Sequence, residues 1–208
     1  GAKLSKTEAK AISGIKNVYN LDNFWKKINA IIPTSQTVFV HKDQSLPKQF
    51  INNEQIIIQN LQIKYPAIKI KNSDFMVDNL RLIKQPEEII AIKKAIEITK
   101  NGFLEILKNI KPGKSEFEIE AELSCFFRKN GSRRHAFQPI IAAGKNACIL
   151  HYITNMGNCQ NGDLLLLDFG AEYQNYNADC SRTIPINGKF TPRQKQVYNA
   201  VLEVFAFA

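Results

Sequence analysis

The hydrophobic pattern of the chain changes near Arg81 and predicts two differently built parts. In the first, apolar residues at helical spacing predict a helix over 22–32, capped by Asp22 and ended by Pro33. Thr37-Val38-Phe39-Val40 reads as a short buried strand. A second helix is expected over 47–62, with Phe50, Ile51, Glu54, Ile57, Ile58 and Leu61 at helical spacing. Ala67-Ile68-Lys69-Ile70 then reads as another strand. Helix and strand alternate, as in an α/β layer, and Trp25 and the phenylalanines here read as core.

Beyond Arg81 the helices lengthen. Pro86 in a first turn, with Glu87 and Glu88 behind it, starts a helix with the right dipole chemistry. Ile89, Ile92, Ile96, Phe103, Leu107 and Ile110 share one face, and Lys111-Pro112-Gly113 ends the helix. Ser115 and Glu118 form a capping box for the next helix, whose apolar face is Ile119, Leu123, Phe126 and Phe127. Leu164 to Leu167, a polar turn and a returning segment read as antiparallel strands, and 192–205 reads as a last helix. The expected class is α+β, with helices covering one side of a curved sheet. The domains divide as 1–82 and 83–208.

Composition narrows the function classes. A chain of 208 residues with 44% apolar content can build one large domain or two small ones. It has no signal peptide and no apolar stretch of about 18 residues, so a soluble, cytoplasmic protein with no membrane partner is expected. Cys125, Cys148, Cys159 and Cys180 lack C-x-x-C pairing and are expected as reduced thiols. The net charge of +9 is spread over both parts: 12 basic and 6 acidic residues up to Leu82, then 16 and 13. The densest cluster, Arg128, Lys129, Arg133 and Arg134, flanks a helix end whose dipole accounts for it. No aromatic interleaving accompanies it, so no nucleic-acid partner is expected.

The candidate chemistry centres on Asp168, which closes the leucine run, and Asp179, eleven positions on. A turn centred on Tyr173 and Gln174 would set the two directly opposite, with Cβ atoms about 4.5–5.5 Å apart. Two carboxylates so close resist ionising together, and divalent cations resolve the conflict. Taken singly, the first reads as a turn or capping residue and the second as a solvated one; it is the pair at hairpin spacing that points to a metal. Cys180 adjoins the pair, but strand alternation points it to the other face. His151 after Cys148-Ile149-Leu150 reads either as a hydrogen-bonded residue at a strand end or as a functional one. His41 and His135 read as structural or surface residues. Arg182 either pairs with a site carboxylate or points to solvent.

Three motifs follow one another: Asn146-Ala147-Cys148-Ile149-Leu150-His151-Tyr152, then Gly162-Asp163-Leu164-Leu165-Leu166-Leu167-Asp168-Phe169-Gly170, then Asp179-Cys180-Ser181-Arg182-Thr183-Ile184-Pro185. The succession closely resembles aminopeptidase P, the Xaa-Pro aminopeptidase of the pita-bread metallopeptidases. Arg81-Leu82-Ile83-Lys84-Gln85-Pro86 resembles the start of that family's catalytic domain. The resemblance implies that 83–208 is the first half of a pita-bread domain, preceded by the closing part of an α/β N-terminal domain over 1–82. It implies Asp168 as a bidentate ligand of one metal, Asp179 as the bridge between two, and His151 as the histidine that lines the substrate site and stabilises the tetrahedral intermediate. Asp-Cys-Ser-Arg stands where the family has Asp-x-Thr-Arg, so Ser181 keeps a hydroxyl for a bond to the site.

By the same resemblance the substrates are peptides with penultimate proline, the cofactors are two divalent ions, manganese, and the full-length enzyme is a homo-oligomer. The family's remaining histidine and two glutamate ligands, one of the glutamates its general base, lie further along the chain than Ala208. The sequence is therefore expected to be an internal fragment of a longer enzyme, inactive alone. A prolidase shares the ligands but cuts dipeptides. A creatinase-like enzyme lacks the metal, and non-catalytic pita-bread binders generally lose the aspartates that are kept here.

Overall fold

The computed structural model of the chain describes residues 3–41 and 53–208, which fall into two compact units divided between Ile83 and Lys84. In the first unit, α1 (Lys6–Ser13) is closed at its start by a Ser5–Glu8 capping box and at its end by Gly14 in the left-handed conformation. Next come α2 (Phe24–Ile31), β1 (Thr37–Val40), α3 (Asn53–Lys64), β2 (Lys69–Asn72) and α4 (Asp74–Leu82). The strands pair in parallel, Thr37 against Lys69 through Val40 against Asn72, so the intervening segment is a crossover, as an α/β layer requires.

Several expectations for this unit are corrected. Asp22 lies inside a short 3-10 turn, Leu21–Asn23, and does not cap α2, which begins at Phe24. A second 3-10 turn carrying Pro33 follows α2. β1 is only half-buried, with Phe39 43% exposed, in a sheet that has two strands among the described residues. The expected helix start at 47–52 lies outside the described residues. β2 begins two positions later than expected because Ile68 N bonds back to Tyr65 O at 3.0 Å in a turn. α4 has no counterpart in the expected elements; Asp74 N donates to the Asn72 side chain at 3.0 Å, a local turn that starts the helix.

The second unit stacks two helices on a sheet. α5 (Pro86–Asn109) has Pro86 in its first turn, and Glu88 accepts from the backbone N–H of Gln85 at 2.6 Å. α6 (Glu116–Lys129) starts on the expected box, Ser115 N–H donating to Glu118 at 2.7 Å. β3 (Ile140–Ala143), β4 (Leu164–Phe169) and β7 (Cys180–Pro185) form an antiparallel sheet in the order β3-β4-β7. β5 (Glu172–Tyr173) and β6 (Tyr176–Asn177) make a small ribbon between β4 and β7. Burial along β4 alternates: Leu165, Leu167 and Phe169 face the core with Ile119, Leu123 and Phe127 of α6, while Leu164, Leu166 and Asp168 face away. Each such fully buried side chain contributes about 1.5–3 kcal/mol.

The buried face of α5 is not the expected one. Ala91, Ala95, Ile98, Thr99, Gly102 and Ile106 are buried, whereas Ile89, Ile96 and Leu107 are 39%, 51% and 42% exposed. Small residues form the seam because the helices approach closely: a Cβ on Gly102 would lie 2.7 Å from the Phe127 ring. Phe103 and Ile110 still touch the core from its edge. The last helix, α7 (Pro192–Phe207), is capped by Thr191, which accepts from Gln194 N at 3.2 Å, and buries none of its residues.

Candidate metal centre

The β4–β7 register sets the geometry of the two aspartates. Asp168 pairs with Ser181, not with Asp179. The connecting ribbon turns at Gln174 and Asn175, both at positive φ (50° and 67°), as a two-residue hairpin turn requires. That is one residue later than expected, which moves the partner of Asp168 by two positions. A two-residue slip preserves the face, so alternation carried one residue beyond the start of β7 at Cys180 would set Asp179 on the side of Asp168 and Ser181. Asp168 is half-buried and Asp179 exposed.

Two features hold this arrangement. Ser181 Oγ donates to Asp168 Oδ1 at 2.9 Å, the bond its position in the motif made possible. Gly170 permits the strands to close between the aspartates: a Cβ there would stand 1.8 Å from the carbonyl oxygen of Ala178. Ala178 N–H donates to Ala171 O at 3.0 Å, and Ala171 N–H donates to the buried hydroxyl of Thr99 on α5 at 2.9 Å. Cys180 points inward against the core, as alternation predicts, and burial pushes its thiol up from the ordinary value. Arg182 turns back onto the Ser181 carbonyl at 2.7 Å and is exposed.

His151 stands in a turn after the 3-10 segment Gly144–Cys148, exposed and at φ 53°, not at a strand end. The residues around it are tied down. Glu116, fully buried at the start of α6, accepts from Ala143 N (2.7 Å), Asn146 Nδ2 (2.9 Å), the Tyr152 hydroxyl (2.9 Å) and Gly157 N (2.6 Å). Burial, then the bond to Glu116, raise the Tyr152 phenol above its ordinary range, so it stays a donor. Asn155, 1% exposed, accepts from Ile141 N at 3.0 Å and donates to Pro139 O and Glu120. Sequence reasoning missed Glu116, Asn155, Thr99 and Gly170. The signal for Glu116 was a second acid in the Ser-Glu-Phe-Glu start, which reads equally well as dipole chemistry.

The other two histidines are engaged elsewhere: His135 Nε2 meets Ser124 Oγ at 2.7 Å, and His41 Nδ1 meets Asp74 at 2.5 Å. Among the described residues no group of three or more His, Cys, Asp or Glu is gathered to hold a metal ion. Asp168 and Asp179 supply hard carboxylate oxygens of the kind divalent cations take, but two carboxylates fall short of a full donor set.

An antiparallel sheet under paired helices carries Asp168 on its outer face, with Asp179 just before β7. The chain belongs to metallopeptidase family M24, whose family model matches residues 90–208. Within that family it is similar to aminopeptidase P. It is 41% identical over 128 residues to the Xaa-Pro aminopeptidase of Escherichia coli, a match covering 62% of this chain and 29% of that protein. It is 31% identical to the Xaa-Pro dipeptidase of Pyrococcus horikoshii over 91% of this chain and 50% of that protein. A Bacillus anthracis structure provisionally termed aminopeptidase P superposes with a TM-score of 0.90 at 40% identity, covering 97% of this chain and 48% of that one. The chain therefore spans half the length of these relatives or less. The fold is the α+β pita-bread type of those neighbours. Family membership implies divalent metal ions. Among the described residues no helix is long and apolar enough to cross a membrane.

Proposed function

We propose that this chain is part of a metal-dependent aminopeptidase that releases the N-terminal residue of peptides with proline in second position. The observation that carries the reading is the Ser181–Asp168 bond across the β4–β7 ladder, with Asp179 just before β7, in a chain of this family. Residues 83–208 belong to the first half of the catalytic domain, and 1–82 to an α/β accessory domain. The proposed setting is the cytoplasm, with the full-length enzyme a homo-oligomer.

In this reading Asp168 and Asp179 are the residues that would hold the divalent ions, with manganese as the proposed metal. When bound, such ions supply Lewis acidity and a water of lowered pKa. Ser181 fixes the Asp168 carboxylate by donating to Oδ1 and leaves its other lone pairs for the metal. His151, presented at an exposed turn, donates a hydrogen bond to the oxyanion that develops on the carbonyl of the first residue. Because no group of three or more ligands is gathered among the described residues, the 208-residue chain by itself is expected to be inactive.

The similarity to an Xaa-Pro dipeptidase along 91% of the chain supports a second reading, cleavage of Xaa-Pro dipeptides. One assay separates the two. The full-length parent is stripped of metal, reloaded with manganese, and given an Xaa-Pro-Xaa tripeptide, an Xaa-Ala-Xaa control and an Xaa-Pro dipeptide. Manganese-dependent release from the Pro tripeptide alone is the expected result. Cleavage of the dipeptide alone would establish the second reading, and silence on all three would remove both.

A further inference from the structure

Glu116 is 0% exposed, and a carboxylate out of water is tolerated only when its lone pairs are met. Here they are met four times, and the donors bracket one residue. Ala143 N and Asn146 Nδ2 precede His151 and bind Oε1; the Tyr152 hydroxyl and Gly157 N follow it and bind Oε2. The Tyr152 hydroxyl is the hub of the loop: besides donating to Glu116 it accepts from Asn146 Nδ2 at 3.0 Å and from Met156 N at 3.3 Å. Asn155 anchors the same loop to β3 a second time.

The clamp has something to hold. His151 and Asn155 both sit in the left-handed region, at φ 53° and 50°, a conformation that Asn and His adopt at less cost than most residues with a Cβ and that the surrounding bonds hold here. Among the described residues the exposed His151 ring has no hydrogen-bond partner, so its aim is set by the backbone that carries it. That backbone is joined to the protein one residue later, through Tyr152.

We propose that Glu116, acting through the Tyr152 hydroxyl, is a positioning residue for His151. The inference rests on the reading of His151 as oxyanion donor given above. Neither Glu116 nor Tyr152 touches the reacting atoms in this account; they fix where the imidazole stands, and small misplacements of such a group cost rate more than binding.

A double-mutant cycle in the manganese-loaded full-length parent tests it. Tyr152→Phe keeps the ring and removes the hydroxyl. It is expected to lower kcat on the Pro tripeptide about tenfold, with KM changed less than about twofold and metal content unchanged. In a His151→Ala background the same substitution is expected to change kcat by less than about twofold, because the group it positions is already gone. Hydrogen exchange of 149–157 is expected to quicken in Tyr152→Phe while the rest of the chain keeps its protection. Glu116→Gln should follow the same pattern; if it fails to fold, Tyr152→Phe carries the test.

An equal loss in both backgrounds would show a general structural role and overturn the proposal, as would unchanged exchange over 149–157. A wild-type parent silent on every substrate would instead remove the underlying reading, and this inference with it.

Discussion

Ser181 stands directly across the β4–β7 ladder from Asp168, and its hydroxyl donates to Oδ1 at 2.9 Å. The bond occupies one lone pair of a half-buried carboxylate and fixes the direction of the rest. If Asp168 is a ligand, Ser181→Ala in the full-length parent should weaken manganese binding about 10–100-fold, the usual cost of losing such support. Ser181→Thr should bind as the wild type does. Isothermal titration with manganese reads both.

The neck of the hairpin gives a second prediction. Nothing larger than hydrogen fits at Gly170, because the atom a Cβ would meet is the Ala178 carbonyl oxygen, which no rotamer change can move. Gly170→Ala should destabilise the fold by about 3 kcal/mol, the upper end for overpacking, and separate the strands that carry the aspartates. Urea unfolding measures the loss. A cost below about 1 kcal/mol would show that the neck opens easily.

Cysteine chemistry should sort by burial. Cys159 is fully buried, and burial pushes its thiol up to about 11. Cys125 and Cys148 are exposed. A thiol reagent at pH 8 should label Cys125 and Cys148 first and half-buried Cys180 more slowly, with Cys159 reacting only after denaturation. Mass spectrometry of labelled peptides gives the order.

Acid should act in part through Glu88. The Tyr176 hydroxyl donates to it at 2.6 Å and, with the backbone N–H of Gln85, holds its carboxyl below the ordinary 4.5. A carboxyl lowered in the folded state stabilises the fold above its unfolded pKa. That contribution is lost as pH falls through 4.5 and then through the lower folded value. Tyr176→Phe should shrink this acid-dependent part of the stability while leaving its pH dependence above about pH 6 unchanged. Denaturation midpoints between pH 3 and pH 7 would show it.

What was legible in the sequence followed from chemistry local to a few residues. The Ser115–Glu118 box, Pro86 at the start of α5, the alternation of β4 and the inward Cys180 depend on neighbours within one turn or one strand. The face of α5 is not legible from side-chain size, because its seam is built of Ala91, Ala95 and Gly102 so that Phe127 can approach. The hairpin register turned on a single residue, with Asn175 adopting positive φ where Tyr173 does not. Glu116 was invisible for a different reason. Its partners lie 27 to 41 positions away, and only the folded chain brings them together.

The central claim is that the face shared by Asp168 and Asp179 holds the metal of a peptidase. Its most direct measurement is the metal content of the full-length parent after manganese loading and dialysis, for the wild type and for Asp168→Asn, with folding checked by circular dichroism. The account predicts two manganese ions per wild-type chain, loss of at least one in the folded variant, and loss of Pro-tripeptide cleavage with it. A folded Asp168→Asn variant that keeps both its metal and its activity would contradict the account.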